Sequence, residues 1–160
     1  MANRFELPIA AAAYHKKLNQ SSKDEMIAEK AGGDMTFYWL CAQLGMVYNK
    51  QVKLPKNEIV DYFVKSLKPY ESLIRGMLLA CHFRDLKIKQ DGIQDELTKI
   101  LSSRESKLSS EGMDKMDLYA GGGFQIIQDK KIRPDDGWDN FMLWYHKEIS
   151  KKTNTFSYEI

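Results

Sequence analysis

The sequence predicts an all-α fold: a single compact domain of about six to eight helices, with little or no strand. Apolar residues recur at helical spacing through nearly the whole chain, and strict alternation of apolar and polar residues is confined to short segments. At 160 residues the chain has the usual length of one domain, and it contains no internal repeat. We place this domain at residues 1–152 and a C-terminal tail at residues 153–160.

Three helices are predicted in the first third of the chain. The first covers residues 10–18, and the capping-box pair Ser22 and Glu25 predicts a short second helix over residues 23–30. Asp34 follows a Gly-Gly break and is suited to cap the third. That helix is apolar on almost every side, which is typical of a helix at the centre of a fold; its apolar residues include Phe37, Tyr38, Leu40, Cys41 and Leu44.

Further helices are predicted after residue 56. Asn57 is a good N-cap for a helix that carries Ile59, Tyr62, Phe63 and Leu67. Pro69 suits the first position of the next helix, whose apolar stripe is Leu73, Ile74, Met77, Leu78 and Cys81. The amphipathic pattern of residues 93–101 predicts another helix, and the polar residues 102–110 predict a loop. The last helix is predicted over residues 138–149.

Three consecutive glycines interrupt the helical pattern of residues 116–127, which read MDLYAGGGFQII. Each glycine inside a helix costs about 0.8–1 kcal/mol relative to alanine, so the run opposes helix formation by roughly 2–3 kcal/mol. A chain accepts that cost where backbones must approach closely or where the helix must break. We therefore predict that at least one of these glycines serves one of these two purposes.

Composition narrows the classes of protein that fit this chain. The formal net charge is only +2, from 24 basic and 22 acidic residues, so charge alone neither requires nor excludes nucleic acid. Cys41 and Cys81 lie in apolar helical patterns and are predicted to be buried free thiols, as in a reducing compartment. No export signal and no apolar stretch long enough to span a membrane is visible, so a cytoplasmic location is expected.

The sequence presents no catalytic, cofactor or metal site. Cys81 and His82 are adjacent, but neighbouring helical residues point about 100° apart, and zinc sites use paired ligands at other spacings. No nucleophile stands in a recognisable pattern with a general base. The glycine run lacks the Lys-Ser/Thr pair and the preceding strand of a phosphate-binding loop. We expect a protein that is not an enzyme and carries no cofactor or metal.

Contact with DNA remains an open alternative. Lys130, Lys131 and Arg133 form a basic cluster and are candidate contacts to DNA phosphates, although lysines also favour helix C-termini for electrostatic reasons. The turn at residues 67–69 has the spacing of a helix-turn-helix, but few side chains that read bases follow it. An independent small DNA-binding regulator is therefore the alternative function.

Two segments carry a resemblance to a known group of proteins. Residues 37–45 read FYWLCAQLG, an aromatic helix that ends in Leu-Gly, and residues 117–127 read DLYAGGGFQII. They resemble the small helical accessory proteins of bacterial DNA-phosphorothioation (Dnd-type) operons and of related SMC/Lamassu-type antiphage defence operons. The similarity covers residues 35–149, with the apolar stretch around residues 74–79 as the third element, and residues 1–33 have no counterpart.

The resemblance implies a non-catalytic accessory subunit of a multiprotein bacterial antiphage complex that targets foreign DNA. Such a subunit would bridge or regulate an SMC-like or other large ATPase and an effector nuclease, touch DNA through the complex, and need no membrane. Aromatic residues dominate protein interfaces. The predicted partner contacts are Tyr119, Gly121, Gly122, Gly123, Trp144, Phe156 and Tyr158. In the tail, Phe156, Tyr158 and Ile160 alternate, which predicts either docking of an extended strand or a frayed end.

Overall fold

The computed structural model describes residues 4–23, 34–53, 59–63, 71–86, 92–103 and 107–155. These residues form six α-helices, two short strands and one turn of 3-10 helix, which confirms the all-α fold. In chain order the elements are β1 (Arg4–Pro8), α1 (Ile9–Ser21), α2 (Asp34–Tyr48), β2 (Ile59–Phe63), α3 (Glu71–Leu86), α4 (Ile93–Ile100), α5 (Ser110–Asp129), the 3-10 turn (Pro134–Asp136) and α6 (Gly137–Thr155).

Helix α2 is the centre of the fold, as its uniformly apolar sequence predicts. Phe37, Tyr38 and Leu44 have no exposed surface, and apolar residues from α1, α3, α5 and α6 join the same core. Helix α2 packs most extensively against α5. The remaining helices surround this pair because each has one apolar face to bury.

The two strands correct one prediction. Residues 59–63 were predicted to belong to a helix beginning at Asn57, but they form strand β2. This strand pairs antiparallel with β1, so that Arg4 lies opposite Phe63 and Pro8 lies opposite Ile59. The segment IVDYF is rich in β-branched and aromatic residues, which favour a strand once a partner is available. Phe5 and Leu7 of β1 are fully buried while Arg4 is exposed, the alternation of a half-buried strand.

Aromatic side chains fasten α1 and α6 to the central helix. His15 of α1 stacks on Phe37 with ring centroids 5.1 Å apart. The Trp138 indole is fully buried and donates a hydrogen bond of 2.7 Å to Asn19. Ser22 was predicted to cap a helix over residues 23–30, and most of that segment lies outside the described residues. The Ser22 hydroxyl donates a hydrogen bond to a carbonyl of α1 and accepts one from the Trp138 backbone N–H.

Helix α6 begins one residue before its predicted start and continues well beyond its predicted end. Gly137 starts it with φ of 75°, a left-handed conformation that suits glycine. The helix runs to Thr155, so the first three residues of the predicted tail are helical. The rest of the tail, including Phe156 and Tyr158, lies outside the described residues.

Candidate protein-interaction site

Helices α2 and α5 cross with almost no side chain between their backbones. A β-carbon built on Gly45 of α2 would lie 1.9 Å from the carbonyl oxygen of Tyr119 on α5. A β-carbon on Gly123 of α5 would lie 1.8 Å from the carbonyl oxygen of Cys41 on α2. No side chain fits at such distances, so each helix needs a glycine where the other helix passes.

The glycine run therefore serves close approach, and α5 continues unbroken through it. Gly122 faces the chain after α2, where a β-carbon would lie 1.9 Å from the carbonyl oxygen of Lys50. The prediction of close backbone packing is confirmed. Tyr119, Gly121, Gly122 and Gly123 are all buried by the chain's own residues. A partner would reach these four predicted contact residues only if the helices separated.

Asp117 ties the N-terminal strand to this crossing. Its Oδ1 atom accepts a hydrogen bond of 2.7 Å from the Tyr38 hydroxyl of α2 and one of 3.0 Å from the Glu6 backbone N–H of β1. Burial raises the pKa of the Asp117 carboxyl to about 7, although both hydrogen bonds favour the charged form. The sequence shows Asp117 only as the start of the glycine segment, and nothing in the pattern indicates its partners.

Glu148 of α6 is a second carboxylate that joins distant segments, and it is buried. It accepts a hydrogen bond from the Tyr48 hydroxyl at the end of α2, and the ammonium groups of Lys130 and Lys151 lie 3.7 and 3.8 Å from its oxygens. The Tyr48 hydrogen bond, followed by the two lysines, lowers the pKa of Glu148. Lys152 lies over the Tyr48 ring, 4.6 Å from its centroid. Three lysines are thus assembled around one tyrosine and one carboxylate.

A third polar cluster joins α3, α4 and α5. His82 lies 2.9 Å from Glu96 through Nε2 and 2.9 Å from the Lys115 ammonium through Nδ1. With the lysine as donor, His82 accepts at Nδ1 and donates to the glutamate from Nε2. Lys115 also lies 3.7 Å from Asp85. The histidine that the sequence presents beside a cysteine is thus bonded between helices, and the cluster links three elements.

Both cysteines are buried free thiols, as predicted. Burial raises the pKa of the Cys41 thiol far above its ordinary value and raises that of Cys81 as well. Among the described residues, no group of three or more His, Cys, Asp or Glu side chains is arranged to hold a metal ion. Within the same residues, no helix is long and apolar enough to cross a membrane.

The surface of α6 is a candidate for partner contact. Residues 141–145 are five consecutive apolar side chains, Phe141, Met142, Leu143, Trp144 and Tyr145, which cover more than one full turn of helix. Phe141 and Tyr145 are buried, and Trp144 is half-buried against the Phe141 ring, with centroids 5.7 Å apart. Met142 is 37% exposed and Leu143 is 57% exposed.

Exposed lysines continue this surface toward the end of the helix. Lys147 and Lys151 follow Leu143 at intervals of four residues, so all three side chains lie along one ridge, and both lysines are exposed. Lys130 joins the ridge through Glu148. The other candidate phosphate contacts, Lys131 and Arg133, are exposed on the loop before α6. We name Leu143, Lys147 and Lys151 the α6 ridge.

The candidate helix-turn-helix is only partly covered by the described residues. Its turn at residues 67–69 lies outside the described residues, and the segment expected to supply the first helix contains strand β2.

No protein-family model, curated protein or solved structure matches this chain.

Proposed function

We propose that the protein is a non-catalytic accessory subunit of a multiprotein bacterial antiphage defence complex that targets foreign DNA. In this proposal it bridges or regulates a large ATPase, such as an SMC-like one, and an effector nuclease. The sequence resemblance supplies the setting, and the surface of α6 supplies the means of contact.

The exposed half of the apolar turn in α6 carries this proposal. A helix that is apolar all the way round is normally buried on all sides. Phe141 and Tyr145 fill the core, whereas Met142 and Leu143 face outward and Trp144 is half-buried. Single exposed apolar residues are common on any surface. Met142, Leu143 and Trp144 point about 100° apart from one to the next, so together they spread apolar surface around the outer half of α6, and partner proteins cover apolar surface of this kind.

The exposed apolar residues of α6, Met142 and Leu143, also lie on a firmly held part of the fold. Tyr145 donates a hydrogen bond of 3.0 Å to the Leu40 carbonyl oxygen and lies 2.8 Å from the Gln43 amide oxygen, so α6 is tied directly to α2. Helix α2 is locked against α5 by the glycine crossing. A surface held in this way loses little conformational freedom on binding, which favours affinity.

Co-purification with the products of neighbouring genes tests this function. The tagged chain should retain a large ATPase or a nuclease through size-exclusion chromatography. The variant Leu143→Lys should reduce this association at least tenfold, because it places a charge in the apolar contact. Gln128→Lys is the matched control, since it adds the same charge at an exposed position on α5.

Both variants should keep the circular dichroism spectrum and melting temperature of the parent. Purification of the parent chain alone from every such co-expression would overturn the proposed function. Tight binding of DNA by the isolated chain, with a steep salt dependence, would favour the regulator instead. Turnover by the isolated chain that a single Asp or His substitution abolishes would show an enzyme.

A further inference from the structure

The α6 ridge changes character along its length. Leu143 is apolar, Lys147 follows about 6 Å along the helix axis, and Lys151 follows about 12 Å along it. The Lys151 side chain is 72% exposed and that of Lys130 is 51% exposed, so both side chains reach solvent while they pair with Glu148. A surface that is apolar at one end and cationic at the other fits a partner with the complementary order.

Glu148 helps to decide which kind of partner this is. Its carboxylate lies between Lys130 and Lys151 and is charged, since its pKa is lowered. Its negative charge lies between the two ammonium groups and would face any phosphate drawn to them, which weakens attraction to a polyanion such as duplex DNA, while Lys147 and Lys152 keep the surroundings cationic. The Glu148 carboxylate does not prevent single carboxylates of a partner protein from pairing with the exposed sides of the two lysines. Leu143 would also gain little against a phosphate backbone, whereas an apolar protein side chain could cover it.

We propose that the α6 ridge binds a partner helix that presents an apolar residue followed by acidic residues one and two turns further along. The apolar residue covers Leu143, and the carboxylates lie against Lys147 and Lys151, with Lys130 beside them. This inference rests on the proposed function, because it specifies the chemistry of the protein subunit that the α6 ridge contacts.

A designed peptide tests this chemistry on the isolated chain. The probe is a helical peptide of about 20 residues with leucine and glutamate at four-residue intervals on one face; the control peptide carries lysine in place of each glutamate. Binding to the ¹⁵N-labelled protein is followed by amide chemical shifts. The glutamate peptide should shift amides of α6 around the ridge, and its affinity should fall as salt is raised.

Variants of the protein assign the effect to the ridge. The double variant Lys147→Gln and Lys151→Gln should weaken binding of the glutamate peptide about tenfold, because two surface ion pairs are lost. The matched control, Lys16→Gln with Lys107→Gln, removes the same charge at two exposed positions elsewhere and should leave the affinity unchanged.

Equal binding of both peptides, or no binding of the glutamate peptide at millimolar concentration, would overturn the inference. The inference would also be overturned if duplex DNA of about 25 base pairs, or anionic lipid vesicles, shifted the same amides more strongly than the peptide does. The peptide assay needs no native partner, so its failure differs from a failure of co-purification. A native complex that the two lysine substitutions leave intact would overturn the ridge inference alone.

Discussion

Replacing Asp117 by asparagine should change how the stability of this protein depends on pH. The native carboxyl has a pKa of about 7, against an ordinary value of 3.8. Below pH 4 the group is protonated in both the folded and the unfolded chain. Between pH 4 and 7 the native protein holds a proton that the unfolded chain has released, so stability is lost as the pH rises. Above pH 7 both states are ionised, and the loss is complete.

The size of the effect follows from the shift in pKa. A difference of about 3 pH units at 1.36 kcal/mol per unit corresponds to a loss of up to about 4 kcal/mol between pH 4 and pH 8. Asparagine removes the titration but keeps the geometry. Tyr38 and the Glu6 backbone both donate to Oδ1, and an asparagine side chain has an acceptor oxygen at that position. Asp117→Asn should therefore be more stable than the parent at pH 8 and similar to it at pH 4.

Urea denaturation at several pH values between 4 and 8 measures the free energy of unfolding of both proteins. The difference between Asp117→Asn and the parent should grow as the pH rises and become constant above pH 7. Gln128→Asn, a neutral substitution at an exposed position on α5, is the control and should show no such dependence. A difference between Asp117→Asn and the parent that stays the same at every pH would refute the reasoning.

Three further predictions concern stability and reactivity. Gly45→Ala should unfold the protein or destabilise it by more than about 4 kcal/mol, because the added methyl meets a backbone carbonyl. At Gly76 an added methyl meets nothing within 4 Å, so Gly76→Ala should stabilise the protein by up to about 1 kcal/mol. Melting temperatures should therefore rank Gly76→Ala above the parent and Gly45→Ala below it. Ser109→Ala should cost about 1 kcal/mol in urea denaturation, since the serine oxygen caps α5, and an unchanged midpoint would contradict that role. Cys41 and Cys81 should react with a thiol reagent far faster in denaturant than in the native state, and rapid native labelling of both would show that they are not buried.

The sequence by itself determines most of the helices and reduces the role of the glycines to two alternatives. Helical periodicity depends on neighbours three and four residues apart, so it can be read locally. The all-round apolar pattern of α2 places that helix at the centre, and the cost of residues 121–123 indicates either a close approach or a helix break, between which the structure decides. Even here the sequence identifies only one side of the crossing. Gly45, on the opposite helix, is visible only as the end of an aromatic motif.

Only the tertiary structure decides the features that join distant parts of the chain. Residues 59–63 fit a helical pattern as well as a strand, and pairing with β1, more than fifty residues earlier, selects the strand. Asp117 finds its donor 111 residues away at Glu6, and Glu148 finds Tyr48 at a separation of 100. The burial of Tyr119 and the exposure of Leu143 likewise depend on which helix packs on which face. These outcomes follow from long-range packing, which local spacing does not encode.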